Sequence, residues 1–351
     1  MKDCAPKGFQ YPSTRYTGSK RRLVDWIWEH VKDLPFNSVL DAFGGTASVS
    51  LVFKRYGKQV FYNDLLKFNQ IIGTAIIEND TVRVTSEDID MVLQSSLNGY
   101  PSFIQEEFAG IFFTHEENAW LDKMVASISR VENKYKKAIF MASLFQACLA
   151  KRPFNLFHRA NLKVRLASVS RTFGNKTTWE RPFPELFSRY VAEYNNAIFS
   201  NGQQNKVVGG HDALSAPNGV DLVYLDPPYF SARASRGTNY LAFYHFLEGL
   251  SDYKNWPARI SSNNGAVKRI PDSEEIGHFT RKTEILVSFA KLLDRFRDNI
   301  IVLSYQSNGI PSRNQIEDML CDLKKEVKVF SKPHRYVLSS QRTEELLFIA
   351  T

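Results

Sequence analysis

Residues 222–230 read Leu-Val-Tyr-Leu-Asp-Pro-Pro-Tyr-Phe. The apolar run Leu222-Val223-Tyr224-Leu225 predicts a short strand, and Asp226 then stands where that strand leaves the sheet. Pro227 and Pro228 have no N–H group and stiffen the turn, which leaves carbonyls that no main-chain donor easily claims. The ring of Tyr229 is free to lie flat against something planar. An anionic acceptor, a rigid carbonyl and a stacking face suit the grip of an exocyclic amine on a flat heterocycle. At average residue usage, the word Asp-Pro-Pro-Tyr arises by chance on the order of once in 100,000 positions. The competing reading is a strand followed by a plain proline turn.

Upstream, a strand over 38–40 ends at Asp41 and is followed by Ala42-Phe43-Gly44-Gly45-Thr46-Ala47. A helix over 48–56 is closed by Gly57, and a second strand over 59–62 ends in Asn63-Asp64. Strand, glycine loop, helix, strand and acid in that order make a βαβ unit. Asp64 follows Asp41 by 23 residues, near the spacing of roughly 20 at which a carboxylate meets a ribose. The loop does not fit the dinucleotide fingerprint, and no Gly-Lys-Ser/Thr follows it, so no phosphate cradle is expected. A third acid, Asp212, follows a strand over 206–209. Three strand-end acids beside a close-approach glycine pair suit a nucleoside without phosphates. A nucleoside without phosphates but with a reactive centre suggests S-adenosylmethionine. Taken singly, each acid is equally well explained as a helix N-cap.

A helix after Arg15-Tyr-Thr-Gly-Ser-Lys-Arg-Arg22 carries Val24, Ile27, Trp28 and Val31 on one face. Further strands over 299–305, 326–330 and 345–350, with a helix over 281–296, complete an α/β sheet. Between about 81 and 189 this alternation stops. There 106–150 reads as mainly helical, and 151–183 as loops or a hairpin rich in Arg, Lys, Phe and Asn. The polar segment 261–275 reads as a surface loop. The body is therefore residues 1–80 and 195–351, interrupted by an insertion over 81–194.

A chain of 351 residues has ample core for one large domain or two ordinary ones. With 43% hydrophobic and 23% charged residues it is not a disordered chain. The first residues hold no apolar signal region, and no apolar run approaches membrane-spanning length. Cys4, Cys148 and Cys321 are odd in number and far apart, which favours neither a disulfide frame nor a zinc site and fits the cytoplasm. The seven histidines are scattered, so no metal is expected. The net charge of +8 is unevenly placed, because residues 130–190 hold 13 Lys+Arg against 3 Asp+Glu. A basic island in a near-neutral body is the pattern of a polyanion-binding surface. The competing reading is a solvated charged face.

The chain resembles the α-group, Dam-type, adenine-specific DNA methyltransferases of bacterial restriction–modification systems. The resemblance rests on Tyr16-Thr-Gly-Ser-Lys20, Asp41-Ala-Phe-Gly-Gly-Thr-Ala47, Asn63-Asp64, the Arg152-Pro-Phe-Asn155 region and His211-Asp212-Ala213. It continues through Asp226-Pro-Pro-Tyr229, Asn239-Tyr240, Phe243-Tyr244-His245-Phe246 and Leu303-Ser-Tyr305, in the family's order. The first of these and Asp-Pro-Pro-Tyr are the specific ones. One departure is Ala47, where the family usually has glycine. A methyl group there costs little if that residue has already entered the helix.

The resemblance implies a Rossmann-like, S-adenosylmethionine-dependent methyltransferase sheet of the α/β class with an inserted, mainly helical DNA target-recognition domain. Tyr16 and Lys20 would lie over the methionine end of the cofactor, with Asp41 and the backbone of Phe43, Gly44 and Gly45 beneath it. Asp64 would take the ribose hydroxyls and Asp212 the cofactor's adenine amine. Asp226, at the cofactor's edge, and the Pro227 carbonyl would hold the target amine; Pro228 stiffens the turn and Tyr229 stacks on the target base. The implied reaction methylates N6 of an adenine flipped out of double-stranded DNA. A cytosine-N4 methyltransferase and a non-catalytic DNA-binding subunit are the alternatives. Arg152, Arg159, Lys163, Arg165, Arg171, Lys176 and Arg181 are candidates for phosphate or guanine contacts, and Asn155 and Asn161 for adenine. Phe154 and Phe157 are either wedges into the base stack or core residues. His245 reads as a packed polar residue rather than a base. The partners implied are double-stranded DNA and a cognate restriction endonuclease of the same system.

Overall fold

The computed structural model describes residues 3–95, 99–168, 176–231, 234–260, 265–334 and 343–351. At its centre β1 (Ser38–Asp41), β2 (Gln59–Tyr62), β3 (Lys206–Val207), β4 (Leu222–Leu225), β5 (Ile300–Gln306), β6 (Val327–His334) and β7 (Thr343–Ala350) form one sheet. Their spatial order is β3-β2-β1-β4-β5-β7-β6. The first five strands pair in parallel, and β7 runs antiparallel to both β5 and β6. All four residues of β4 are buried, as a strand covered by helices on both faces requires. This is an α/β fold built on one mixed seven-stranded sheet.

Helix α1 (Val24–Val31) buries the four residues whose spacing marked its inner face, and Trp28 stacks on Tyr56 at 4.2 Å and 3°. Helix α2 (Ser48–Arg55) returns the chain from β1 to β2. Ala47 does not enter that helix. It holds the left-handed conformation at φ 59° just before it, accepting from the Leu51 N–H at 2.8 Å. An L-residue there is strained by roughly 1–2 kcal/mol, and burial of its methyl group returns roughly 0.8 kcal/mol of that.

The segment 81–194 is mainly helical. Thr114 and Glu117 form a capping box at the start of the helix His115–Ser129, and the Asn133 side chain caps Lys134–Ala150. That second helix is buried without interruption from Ala138 to Ala150. It packs against α3 (Lys67–Gly73), where Phe68 meets Phe145 edge to face at 6.0 Å. Residues of the insertion and of the sheet thus share one hydrophobic cluster. Among the described residues, 151–183 contains no hairpin; it holds a 3-10 turn (Pro153–Asn155) and the short helices Leu162–Leu166 and Lys176–Glu180. The polar segment 261–275 is not only a surface loop either, since the helix Glu274–Thr280 begins within it. No helix among the described residues is long and apolar enough to cross a membrane.

Candidate active site

Asp41, Asp64, Asp212 and Asp226 follow four different strands, yet they line one pocket. Parallel pairing explains this: β1 to β4 all leave the sheet on the same side, and the strand order reverses between β1 and β4. Tyr16, Lys20, Phe43, Gly44, Gly45 and Pro228 line the same pocket, together with Glu275, Ile276 and Phe279 of the helix that follows residue 273. Pro227 is buried and Tyr229 is turned aside; neither lines it.

Lys20, only 5% exposed, donates from Nζ to Asp226 Oδ1 at 2.8 Å and lies 3.6 Å from Glu345 Oε1. It also sits 4.7 Å from the centre of the Tyr229 ring. Glu345 is fully buried and accepts from the Tyr229 hydroxyl at 2.6 Å and from Ser304 Oγ at 2.5 Å. Burial alone would depress the Lys20 amine, but the Asp226 and Glu345 carboxylates hold it above its ordinary value. Burial raises the Asp226 carboxyl to about 6 against the opposing pull of Lys20, so it is ionised at neutral pH. Glu345 escaped the sequence reading: it stands with Thr343 and Glu344 at the polar start of the last strand, before its apolar run. Because β7 is antiparallel, its first residues stand beside Gln306 at the end of β5, on the same edge as the strand-end acids.

The glycine loop is pinned from below. A Cβ on Gly44 would fall 2.1 Å from the Tyr62 ring, and the Tyr62 hydroxyl donates to the Gly45 carbonyl at 2.7 Å. Asp64 accepts from the Gly45 N–H at 2.9 Å and the Leu66 N–H at 2.8 Å; burial nonetheless raises its carboxyl. Asp41 Oδ2 accepts from Ser50 Oγ at 2.6 Å, while its buried Oδ1 has no hydrogen-bond partner. Burial lifts the Asp41 carboxyl to about 7 in spite of Ser50, with Asp226 and Asp64 adding to the rise. An orphaned carboxylate oxygen on a pocket wall fits a cationic ligand group. Asp212 pairs with His278 Nδ1 at 2.6 Å, beside Phe43 and Phe279, which meet edge to face at 5.3 Å.

Tyr16 stacks on Tyr240 (5.3 Å, 10°) and on Tyr244 (4.5 Å, 13°), and the Thr17 N–H donates to the Tyr244 hydroxyl at 2.7 Å. Gly18 has φ 84°, and a Cβ there would lie 2.3 Å from the Tyr240 hydroxyl. The spacing Tyr16-x-Gly18-x-Lys20 therefore allows an aromatic shelf to close on the lysine turn. The helix Tyr240–Ser251 that carries this shelf also holds the insertion. The Phe157 N–H donates to the Phe243 carbonyl at 2.8 Å, and the Phe157 carbonyl meets His245 Nε2 at 3.1 Å. Burial drives His245 down to about 3, so it is neutral and packed, as its sequence context suggested.

The basic stretch is less available than its charge implies. Arg152 is fully buried: its guanidinium donates to the carbonyls of Leu156, Arg159 (2.8 Å) and Phe112, and lies over the Phe112 and Phe157 rings. Burial lowers it to about 9, which leaves it charged at neutral pH. Arg165 is buried against Glu117, which also pairs with Lys151 at 3.0 Å. Contrary to the expectation for them, Arg152 and Arg165 point their donors inward, where folding the loop back leaves carbonyls and a carboxylate to satisfy. Lys134, Lys136, Lys176, Arg181 and Arg189 pair with Glu78, Asp88, Glu180, Glu185 and Glu193. Arg159 and Lys163 are exposed, with no ion pair among the described residues, and Asn155 is half-buried. Phe157 is buried, whereas Phe154 is 53% exposed; Phe154 and Asn155 both have positive φ, 65° and 57°. Asn161 is half-buried and donates to the Pro153 carbonyl at 3.4 Å. Arg171 lies outside the described residues.

A family model for the D12 class N6 adenine-specific DNA methyltransferases matches residues 16–295. The chain belongs to that family. As an adenine-specific DNA methyltransferase, it leaves the cytosine-N4 alternative without support. The methyltransferase is 28% identical over 352 residues to the Type II methyltransferase M2.HphI of Haemophilus parahaemolyticus, spanning 97% of this chain and 98% of that protein. It is 26% identical to the Type II methyltransferase M.FokI of Planomicrobium okeanokoites, where 94% of this chain matches 50% of that protein. The solved rRNA methyltransferase aviRa of Streptomyces viridochromogenes overlaps at a TM-score of 0.30 and 10% identity, covering 96% of this chain and 87% of its own, too slight to weigh.

The placement of the two arginines separates stability from surface charge. Arg152→Ala, which strands several buried carbonyls, is expected to lower unfolding stability by about 3 kcal/mol. Arg159→Ala should change it by less than about 0.5 kcal/mol. Urea denaturation of both variants followed by circular dichroism tests this; equal losses would show that Arg152 is not the anchor of its loop.

Proposed function

We propose that this methyltransferase moves a methyl group from S-adenosylmethionine to the N6 amine of an adenine swung out of duplex DNA, as an α-group, Dam-type enzyme. The observation that carries the reading is the Lys20–Asp226 pair, backed by buried Glu345, on the same pocket as the orphaned Asp41 oxygen. The residues present fit the cofactor. Asp41 Oδ1 would receive its ammonium group, Asp64 its ribose hydroxyls, and Asp212 its adenine amine, between the apolar walls of Phe43 and Phe279. When bound, S-adenosylmethionine supplies an electrophilic methyl carbon whose bond to sulfur breaks as the bond to N6 forms.

Every other part of the reaction falls to the chain. The amine is unreachable inside a duplex, so the base must leave the stack at a cost of a few kcal/mol. Asp226 and the Pro227 carbonyl would each accept one N–H of the amine, which aims its lone pair at the methyl carbon. The charge that develops on nitrogen is stabilised by an Asp226 carboxylate already ionised at neutral pH, and the proton released afterwards has that carboxylate beside it. Lys20 keeps Asp226 ionised and in place, and Glu345 fixes the Tyr229 ring through its hydroxyl. Segment 81–194 would read the site, with Arg159, Lys163 and the Phe154–Asn155 tip as its exposed parts. The Type II designation of the relatives supports a place in a restriction–modification system beside a cognate endonuclease, in the cytoplasm.

Asp226→Ala is expected to reduce tritiated-methyl transfer to DNA by at least about 10²–10³, a loss typical for removal of a transition-state partner. Cofactor affinity in calorimetry should change by only a few-fold. Transfer by the wild type to duplexes that contain no adenine would overturn the reading.

The raised carboxyls fix the direction of pH dependence. For Asp226, kcat/KM should fall as pH drops through about 6, because the acceptor becomes protonated. For Asp41 the native state binds its proton more tightly than the unfolded chain, so its ionisation weakens the fold increasingly up to about pH 7. A bound ammonium relieves that penalty. Stabilisation of the protein by S-adenosylmethionine should therefore be greater at pH 8 than at pH 6, and Asp41→Asn should remove the difference. Thermal unfolding with and without the cofactor at both pH values measures it.

A further inference from the structure

Among the described residues, more than half of the lysines and arginines of the inserted segment are buried or ion-paired, which reduces what it offers to a polyanion. A second set stands elsewhere, at the mouth of the catalytic pocket. The Thr238 N–H donates to the carbonyl of Tyr229, and the Gly237 N–H donates to the carbonyl of Thr280, both at 2.9 Å. Residues 237–238 thus form a strap that ties the turn after Asp226 to the end of the helix Glu274–Thr280. The strap fits closely: a Cβ on Gly237 would lie 2.7 Å from the Phe279 carbonyl oxygen. Thr238 and Thr280 both line the catalytic pocket.

Immediately outside those two residues the chain places Arg236 on one side and Arg281-Lys282 on the other. They line a second depression that shares Thr280 with the catalytic pocket. Arg236 and Lys282 are exposed and form no ion pair among the described residues. Arg281 is held by Glu284 at 2.8 Å, and Asp272, an acid on the same depression, lies 3.6 Å from Arg269. Arg236 and Lys282, from separate loops, therefore face one hollow that adjoins the catalytic pocket through Thr280. The anion of the substrate nearest to an extruded base is its own backbone phosphate.

We infer that Arg236 and Lys282 form a second DNA contact, outside the inserted segment, which grips backbone phosphates of the strand carrying the extruded adenine. This rests on the proposed action on duplex DNA and adds to it the place where the target strand is held. The cations lie beside the Tyr229 turn through backbone hydrogen bonds rather than through a flexible tether, so the phosphate they hold is set in position relative to Asp226. The contact carries no sequence information, since phosphates are the same at every site.

The test is the salt dependence of duplex binding by the full-length protein, measured beside methyl transfer in the same buffer. Each phosphate contact contributes about 0.9 to the slope of log affinity against log salt. Arg236→Ala with Lys282→Ala should lower that slope by about 1.8 and weaken binding several-fold at 0.1 M salt. Affinity for S-adenosylmethionine should stay unchanged, which also reports an intact fold. Lys282→Arg should preserve the slope. Lys325→Ala, an exposed cation before β6 at the opposite edge of the sheet, should leave it within about 0.3. An unchanged slope in the double variant, with the wild type still methylating adenine, overturns this inference alone. Absence of wild-type transfer to any DNA removes it together with the reading it rests on. Wild-type inhibition by inorganic phosphate that the double variant escapes, with an unaltered DNA slope, would assign the hollow to a free anion and also overturn it.

Discussion

Lys20 lies between two acids, half-buried Asp226 after β4 at 2.8 Å and fully buried Glu345 in β7 at 3.6 Å, and an ammonium so placed offsets the cost of holding a carboxylate away from water. The constraint is topological before it is chemical. A parallel strand brings its last residue to this edge, an antiparallel strand brings one of its first, and the lysine arrives from a turn more than 200 residues earlier. Removing Lys20 would leave the Asp226 carboxylate without its counter-charge, so the pair holds the Asp-Pro-Pro-Tyr turn in a single geometry. In the proposed reaction both the methyl donor and the methylated amine bear positive charge, and Asp226 lines the pocket with a carboxylate to face them.

The inserted segment is organised by an analogous device of opposite sign. Arg152 has no acidic partner within the set of carbonyls it gathers, and it lies over two phenylalanine rings whose faces favour a cation. One side chain so placed closes the loop from Pro153 to Arg159 on itself and leaves Phe154 and Asn155 displayed at the tip in left-handed conformations. A residue counted at first as a contact for an external polyanion proves to be the internal fastening of the surface that would meet it.

Much of the sheet could be read from the chain because its strands are short apolar runs, several of them ended by acids, and parallel pairing gathers those ends at one pocket. The glycine pair, Lys20 and the strand-end acids were legible for that reason. What escaped was interaction at long range. A charge count over residues 130–190 cannot see Glu78, Asp88 or Glu117, which lie outside that window and neutralise much of it. The five-residue helices Leu162–Leu166 and Lys176–Glu180 are too short to show a period, which is why loops or a hairpin was the sequence reading for them. Glu345 was passed over because a single acid in a strand has no pattern; only the direction of β7 gives it a place. Ala47 shows the same limit, since its alanine letter does not reveal a left-handed backbone.

The helix Tyr240–Ser251 is a party wall. On one side Tyr240 and Tyr244 stack against Tyr16 at the pocket wall; on the other Phe243 and His245 carry Phe157 and, through it, the loop that Arg152 fastens. Neither room can be rebuilt by moving that partition without disturbing its neighbour. Descendants of this enzyme that acquire a different target sequence would thus be expected to alter the projecting tip and its outer cations, while the tenants of the wall stay where they are.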